Sequence, residues 1–210
     1  TTLFRSKDKL SWENSLEMAY GIINQGGLGM RKSDDKIDFA SKAGYKASKN
    51  WYYTAMLNFK TQFDAGYKYN DDDSKDLISD IMAPAYLLYS AGMDFKPNKK
   101  FSAFISPATG KTTIVQDDSL SAAGAFGVEP GETSRTELGG YVKFNYKEEV
   151  FKNVSLNTKL DLFSNYLDKP QNIDVNWEVL ISMKVNKFLT ATLSTQLIYD
   201  DDIDIVKMGE

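Results

Sequence analysis

The chain has 210 residues, of which 42% are hydrophobic and 26% are charged, so it is long enough for one folded domain and too apolar for a disordered tail. Its net charge of −4 gives no electrostatic reason to bind nucleic acid. Cysteine and histidine are both absent, which excludes disulfides, thiolate or imidazole metal sites and catalysis by Ser-His or Asp-His pairs.

The first half of the chain alternates between apolar and polar residues with a period of two, which predicts extended strands. After a partial strand at the start, the alternation covers residues 10–20, 37–46, 51–63 and 86–96. The charged residues on the polar face of these strands include Glu13, Glu17, Asp38, Lys42, Lys60 and Asp94.

The second half continues the pattern over residues 101–106, 137–147, 154–166, 173–185 and 189–199, which brings the predicted total to about ten strands. The polar positions here include Lys143, Lys159, Asp161, Asp174, Glu178 and Lys184. Together with Lys46, Lys96, Glu137 and Lys147, the polar face holds eight acids and eight bases. Such a balance argues against a strongly ion-selective pore and favours cross-strand ion pairs.

The connections alternate between two kinds. Short turns rich in Lys and Asn lie at residues 6–9, 48–50, 97–100, 151–153 and 186–187, and longer links lie at 24–36, 64–85, 107–135 and 168–172. A regular alternation of short and long connections predicts an antiparallel up-and-down meander, with short turns at one end of the strands and long loops at the other.

Period-two alternation leaves two alternatives open, because the apolar face can meet either a core or lipid. A soluble lipocalin-like β-barrel would bind an apolar ligand inside, whereas a transmembrane β-barrel would place its charges in the lumen. Predicted strands of roughly 11–16 residues exceed the ~5–6 usual in soluble proteins, and long loops at one end are typical of bacterial outer-membrane barrels.

Aromatic residues on the apolar face support the membrane alternative, because they collect towards both ends of the strands as the girdles of membrane barrels do. The predicted girdle residues are Trp12, Tyr20, Trp51, Tyr53, Phe63, Tyr146, Tyr166, Trp177 and Tyr199. We therefore expect an all-β, antiparallel up-and-down transmembrane β-barrel that lies in the lipid bilayer of a cell outer membrane.

Strand parity leads to a further expectation about the ends of the chain. If the short turns are periplasmic, both ends of residues 1–210 fall on the outer side, whereas single-chain bacterial barrels normally keep both termini in the periplasm. One further strand at each end would place both termini there and keep the strand number even. We expect one β-barrel domain over 1–210 that is incomplete at both ends, with about twelve strands in all.

Two motifs contain residue types that carry chemistry in other proteins. Gly110, Lys111 and Thr112 match the tail of a phosphate loop, but the first glycine of that motif would fall at Ile105. The acid pairs Glu13/Glu17 and Asp174/Glu178 are explained by a lumen charge ladder without catalysis. We expect no enzymatic activity, no cofactor and no metal site, and a structural or narrow-channel role.

Four segments resemble a family of proteins. They are WENSLEMAYG, SDDKIDFASKAGYKASKNWYYTAMLNFKTQF, LSAAGAFGV and the run from LDLFSNYLDKPQN to LIYDDDI. They are similar to an uncharacterised outer-membrane β-barrel family of Bacteroidota. The resemblance implies a location in a Gram-negative outer membrane. It assigns no catalytic or binding role to any residue of this chain. The apolar residues in the long links predict one of two arrangements: these loops fold into the barrel mouth, or they contact other outer-membrane or surface proteins in a larger envelope complex.

Overall fold

Ten strands form one antiparallel sheet in the computed structural model, which describes residues 2–7, 9–26, 29–70, 72 and 74–200. The strands follow one another across the sheet in chain order. Their bounds are β1 (Thr2–Lys7), β2 (Leu10–Gln25), β3 (Gly29–Lys46), β4 (Trp51–Thr61), β7 (Ala85–Phe95), β8 (Phe101–Ile114), β9 (Ser134–Phe151), β10 (Val154–Asn165), β11 (Ile173–Lys184) and β12 (Thr190–Tyr199). A separate hairpin pairs β5 (Gly66–Tyr69) with β6 (Lys75–Ser79).

The predicted all-β antiparallel fold is confirmed, and the sheet curls like half a barrel. Its curl is visible in side-chain contacts between strands far apart in the sheet: Met56 on β4 packs with Tyr141 on β9 and Phe163 on β10. The sheet runs from β1 at one edge to β12 at the other. A closed transmembrane barrel therefore stays a prediction.

The longer link predicted at residues 24–36 was wrong. β2 continues to Gln25 and β3 begins at Gly29, so most of this segment is paired strand. Polar residues such as Asp34 and Lys36 are poor strand formers, but pairing across a long hairpin overrides such local preferences. The register shifts once within this hairpin, between Gly21 and Ile22.

The two longest predicted links also contain regular structure. The first contains the β5–β6 hairpin, and the second contains helix α1 (Asp118–Ala122), whose N-cap is Asp117. Apolar residues from both links pack into one small core of Ala83, Val115, Leu120 and Val128. Each link thus buries the apolar residues of the other. No helix among the described residues is long and apolar enough to span a membrane.

A bulge in β8 brings the backbones of β7 and β8 very close together. The register shifts between Ser106 and Thr109, and the Ser106 hydroxyl lies 2.8 and 2.9 Å from the carbonyl oxygens of Ala91 and Ala108, which share its single proton as acceptors. A Cβ on Gly92 would lie 2.1 Å from the carbonyl oxygen of Ile105. Only glycine fits there, because the neighbouring atoms belong to the backbone.

Candidate functional site

Charged side chains gather on the concave face of the sheet, where the strand register places several of them directly opposite each other. Lys159 pairs with Glu178, and Asp161 pairs with Lys143. Their Nζ to carboxylate distances are 3.5 Å and 3.1 Å. The hydroxyl of Tyr141 donates a further hydrogen bond to Asp161. Opposite charges on facing strands stabilise a sheet, so these pairs help to fix its register.

Asp94 is the most deeply buried of the predicted lumen residues, with a side chain that is 1% exposed. The Nζ of Lys42 lies 2.7 Å from its carboxylate and the Nζ of Lys96 lies 3.0 Å away. Lys42 comes from β3, two strands away in the sheet, and its Nζ also lies 5.0 Å from the ring centroid of Phe104. A carboxylate removed from water needs such partners, since an unpaired buried charge is very unfavourable.

A second group surrounds Asp38. Lys60 and Lys36 place their Nζ atoms 3.8 and 3.9 Å from its carboxylate, and Asn58 donates a hydrogen bond to it at 2.7 Å. Glu17, directly opposite Asp38 in the register, is bridged by Lys36 at 3.3 Å. The shared lysine offsets the repulsion between the two facing carboxylates. Glu13 faces Lys42 in the same pair of strands.

Lys111 forms a third group near the long links. Its Nζ lies 2.8 Å from Asp174, 3.4 Å from Glu137 and 3.5 Å from Asp200. Arg135 also pairs with Glu137 at 3.2 Å. The predicted polar face lacks Lys111, because residues 107–135 are predicted to form a long link. The signal was present: Thr109, Lys111 and Thr113 continue the alternation of β8.

An apolar cluster separates these groups on the concave face. It consists of Met56, Phe104, Tyr141 and Phe163, which are all buried, and Leu88 packs against it. Lys42 contacts the Phe104 ring on one side, and Lys111 lies 5.2 Å from the centroid of the Phe163 ring. The cluster fills the middle of the concave face, so the Asp94 group near the short turns is divided from the Lys111 group near the long links.

A cavity of about 530 Å³ lies on the concave face beside this cluster. Its walls come from β2, β3 and β4 on one side and from the end of β7, β8, β9 and β10 on the other, and its lining is mostly charged or polar. We refer to it as the concave cavity. It includes the predicted lumen residues Glu13, Glu17, Asp38, Lys42, Lys60, Lys143 and Lys159. Lys184 lies instead at the exposed end of β11.

The convex face presents the apolar residues of the alternation. Leu16, Leu57, Leu193 and Leu197 are exposed there. Of the predicted girdle residues, eight are exposed, and Tyr146 is partly buried. The exposed eight are Trp12, Tyr20, Trp51, Tyr53, Phe63, Tyr166, Trp177 and Tyr199.

Two of the three tryptophans donate a hydrogen bond from the indole N–H to a neighbouring side chain of the protein. The indole N–H of Trp12 donates to the Ser41 hydroxyl, and that of Trp177 donates to the Thr158 hydroxyl, both at 2.9 Å. A donor with a partner inside the protein can lie in an apolar solvent without loss of a hydrogen bond.

Over the described ranges, His, Cys, Asp and Glu side chains nowhere form a group of three that could hold a metal ion. The carboxylates of the concave face contact lysines, and such neighbours disfavour a bound cation. The arrangement is suited to holding the curled sheet together and to contacting a polar solute.

A family model described as "Protein of unknown function (DUF3078)" matches residues 1–67. The match covers about a third of the chain and includes β1 to β4. It shows an uncharacterised domain in this part of the sequence, while the taxon and the outer membrane stay predictions. Neither a curated protein nor a solved structure matches the chain.

Proposed function

We propose that this protein is an outer-membrane β-barrel without enzymatic activity, which serves as a structural or narrow-channel element of the envelope of a Gram-negative bacterium. The proposal rests mainly on the different side chains on the two faces of the sheet. Large apolar side chains cover the convex face, while paired charges lie on the concave face. Water would not favour such an apolar exterior, whereas the hydrocarbon interior of a bilayer would.

The interior geometry supports a narrow or closed lumen rather than an open pore. The apolar cluster is buried in the middle of the concave face, and the ion pairs on both sides of it occupy further space. A barrel of ten to twelve strands has little internal room, so this much side-chain volume is enough to obstruct it.

The same geometry makes the soluble alternative less attractive. A lipocalin-like barrel needs an apolar interior for its ligand, and the concave cavity is lined by charges such as Lys42, Asp38 and Lys159. An apolar ligand would have to remove these groups from water without offering them hydrogen bonds.

A partner at the end with the long links is part of the proposal. Ile78, Ile81 and Leu167 are exposed at this end, although the links bury other apolar residues in their own core. Apolar side chains grouped outside the proposed bilayer are typical of a protein contact surface. Replacement of Ile81 by Asp should weaken binding of any envelope protein that co-purifies in mild detergent.

Tryptophan fluorescence tests the membrane location directly. Trp12, Trp51 and Trp177 are all exposed on the convex face. In lipid vesicles whose acyl chains carry bromine, we expect strong quenching of this fluorescence, together with heat-modifiable migration on a detergent gel. Quenching by aqueous iodide with no effect of brominated lipid, in a protein that stays monodisperse without detergent, would contradict the proposal.

A further inference from the structure

We propose that the concave cavity is a binding site for a small solute that carries a phosphate group. Its volume of about 530 Å³ lies within the ~300–1,000 Å³ of ordinary small-molecule sites. Its walls offer five lysines against three acids, so the lining has an excess of positive charge. The cavity lies on the concave face, and its binding of a solute is independent of what covers the convex face.

The three acids of the cavity lie on one wall together with Lys42 and Lys60, whereas the other three lysines lie on the opposite wall. Glu13, Glu17 and Asp38 lie on β2 and β3. The opposite wall contains Lys96, just after β7, with Lys143 on β9 and Lys159 on β10. Among the charged residues that line the cavity, this second wall contains lysines only, so an anion placed against it faces ammonium groups there.

The carboxylates that pair with Lys96 and Lys143 are less exposed than these two lysines, whereas Glu178, the partner of Lys159, is about as exposed as Lys159. The side chain of Lys96 is 34% exposed while that of Asp94 is 1% exposed, and the values for Lys143 and Asp161 are 28% and 17%. Asp94 also forms an ion pair with Lys42, so two ammonium groups share one carboxylate. At Lys96 and Lys143, a solute in the cavity therefore meets more of the lysine side chains than of the carboxylates that pair with them. Lysine binds phosphate as a point charge, which suits this arrangement.

Isothermal titration calorimetry tests the site: inorganic phosphate is titrated into the purified protein at constant ionic strength, and the heat of binding is measured. We expect saturable binding that weakens roughly tenfold in Lys96→Gln, because one charge-assisted hydrogen bond is lost. Lys99→Gln is the matched control, since Lys99 lies exposed in the same turn and outside the cavity. Lys159→Gln is a second variant from the other end of the lysine wall.

The outcomes separate clearly. Weaker binding in Lys96→Gln and Lys159→Gln, with Lys99→Gln unchanged, supports the site. Absence of saturable binding, or equal weakening in Lys96→Gln and Lys99→Gln, overturns it, because the second result would reflect general screening. Circular dichroism verifies the fold of each variant, and Lys159→Gln gives the answer if Lys96→Gln does not fold.

A second arm identifies the source of the phosphate group. A short-chain phosphatidic acid is titrated in place of inorganic phosphate, with the same three variants. Tighter, Lys96-dependent binding of the lipid supports the site with a lipid headgroup as its ligand. Lys96-dependent binding of inorganic phosphate alone supports the site with a free solute as its ligand.

Discussion

The Nζ of Lys42 lies 2.7 Å from the carboxylate of Asp94, although β4 separates their two strands in the sheet. The backbones of strands two positions apart lie about 10 Å from each other, and the long lysine side chain together with the curl of the sheet closes this distance. Asp94 joins β3 to the turn that follows β7, because it also pairs with Lys96. Asp94 thus links two strands that are not neighbours in the sheet across the concave face.

Removal of the Asp94 carboxylate is expected to destabilise the fold. Asp94→Asn leaves Lys42 and Lys96 without their shared partner in a buried position, which costs about 3 kcal/mol of unfolding free energy. Urea unfolding in detergent micelles measures the change. Glu129→Gln, in an exposed loop, serves as the control and should stay within about 0.5 kcal/mol of wild type. An equal effect of both substitutions would show that the Asp94 pairs add nothing specific.

Truncation of the apolar cluster is expected to change both stability and permeability. Phe104→Ala removes a fully buried ring and should cost about 3–5 kcal/mol. In a planar lipid bilayer the same variant should show larger ion conductance than wild type, since the ring obstructs the proposed lumen. Phe188→Ala, which alters an 89% exposed ring in the last turn, is the control. Unchanged conductance in a folded Phe104→Ala protein would show that the cluster does not limit passage.

A methyl group at Gly92 should disturb the β7–β8 pair. Its Cβ would meet the carbonyl oxygen of Ile105 at 2.1 Å and the Cα of Ser106 at 2.7 Å, and backbone atoms cannot move aside easily. We expect Gly92→Ala to lower the unfolding free energy by about 1–3 kcal/mol. At Gly26 a Cβ would meet nothing within 4 Å, so Gly26→Ala is the matched control. Thermal unfolding measures the midpoint temperature of both variants. Equal midpoints for Gly92→Ala and Gly26→Ala would contradict the close approach of the two backbones.

A charge on the convex face should be unfavourable only if lipid covers that face. Leu193 is exposed near the middle of β12, and Thr192 beside it points to the opposite face. In lipid vesicles, Leu193→Arg should destabilise the protein by about 2–4 kcal/mol, while Thr192→Arg should have a much smaller effect. If both substitutions were neutral, water rather than lipid would be in contact with β12.

Helix α1 should respond to acid through its N-cap. The Ser119 hydroxyl and the backbone N–H of Leu120 donate hydrogen bonds to Asp117 and hold the pKa of its carboxyl below the ordinary value of 3.8. Because the folded-state pKa is the lower one, the cap stabilises α1 above pH 3.8, and this contribution is lost as the pH falls through the lowered pKa.

Hydrogen exchange of the Leu120 amide, corrected for its intrinsic rate, measures this effect between about pH 6 and about pH 2. Wild type should lose protection at the acid end of the range. Asp117→Ala should show low protection throughout, and Asp118→Asn should behave as wild type does. Protection of wild type that stayed constant down to the lowest pH would argue against a carboxylate cap.

Much of the sheet could be predicted because strand alternation is a local property of the sequence. Trp51, Tyr53 and Leu57 alternate with Thr54 and Asn58, and this alone indicated β4. The segment around Asp34 and Lys36 was mistaken for a loop, because its strand structure comes from pairing with β2 rather than from its own composition. Lys111 is a different case: Thr109, Lys111 and Thr113 continue the alternation of β8, but the bulge at Ser106 interrupts the pattern before them, and pairing with both β7 and β9 extends the strand beyond it.

The sequence by itself determined the two-faced character of the strands, since the period of two decides which side chains share a face. Only the tertiary structure decided which charges meet, because Lys42 with Asp94 and Lys111 with Asp174 come from strands that are not neighbours. The same holds for the apolar cluster, in which Met56 and Phe163 are far apart along the chain. The physical reason is curvature: hydrogen bonding links each strand to the next, whereas contacts across the concave face depend on how far the whole sheet bends.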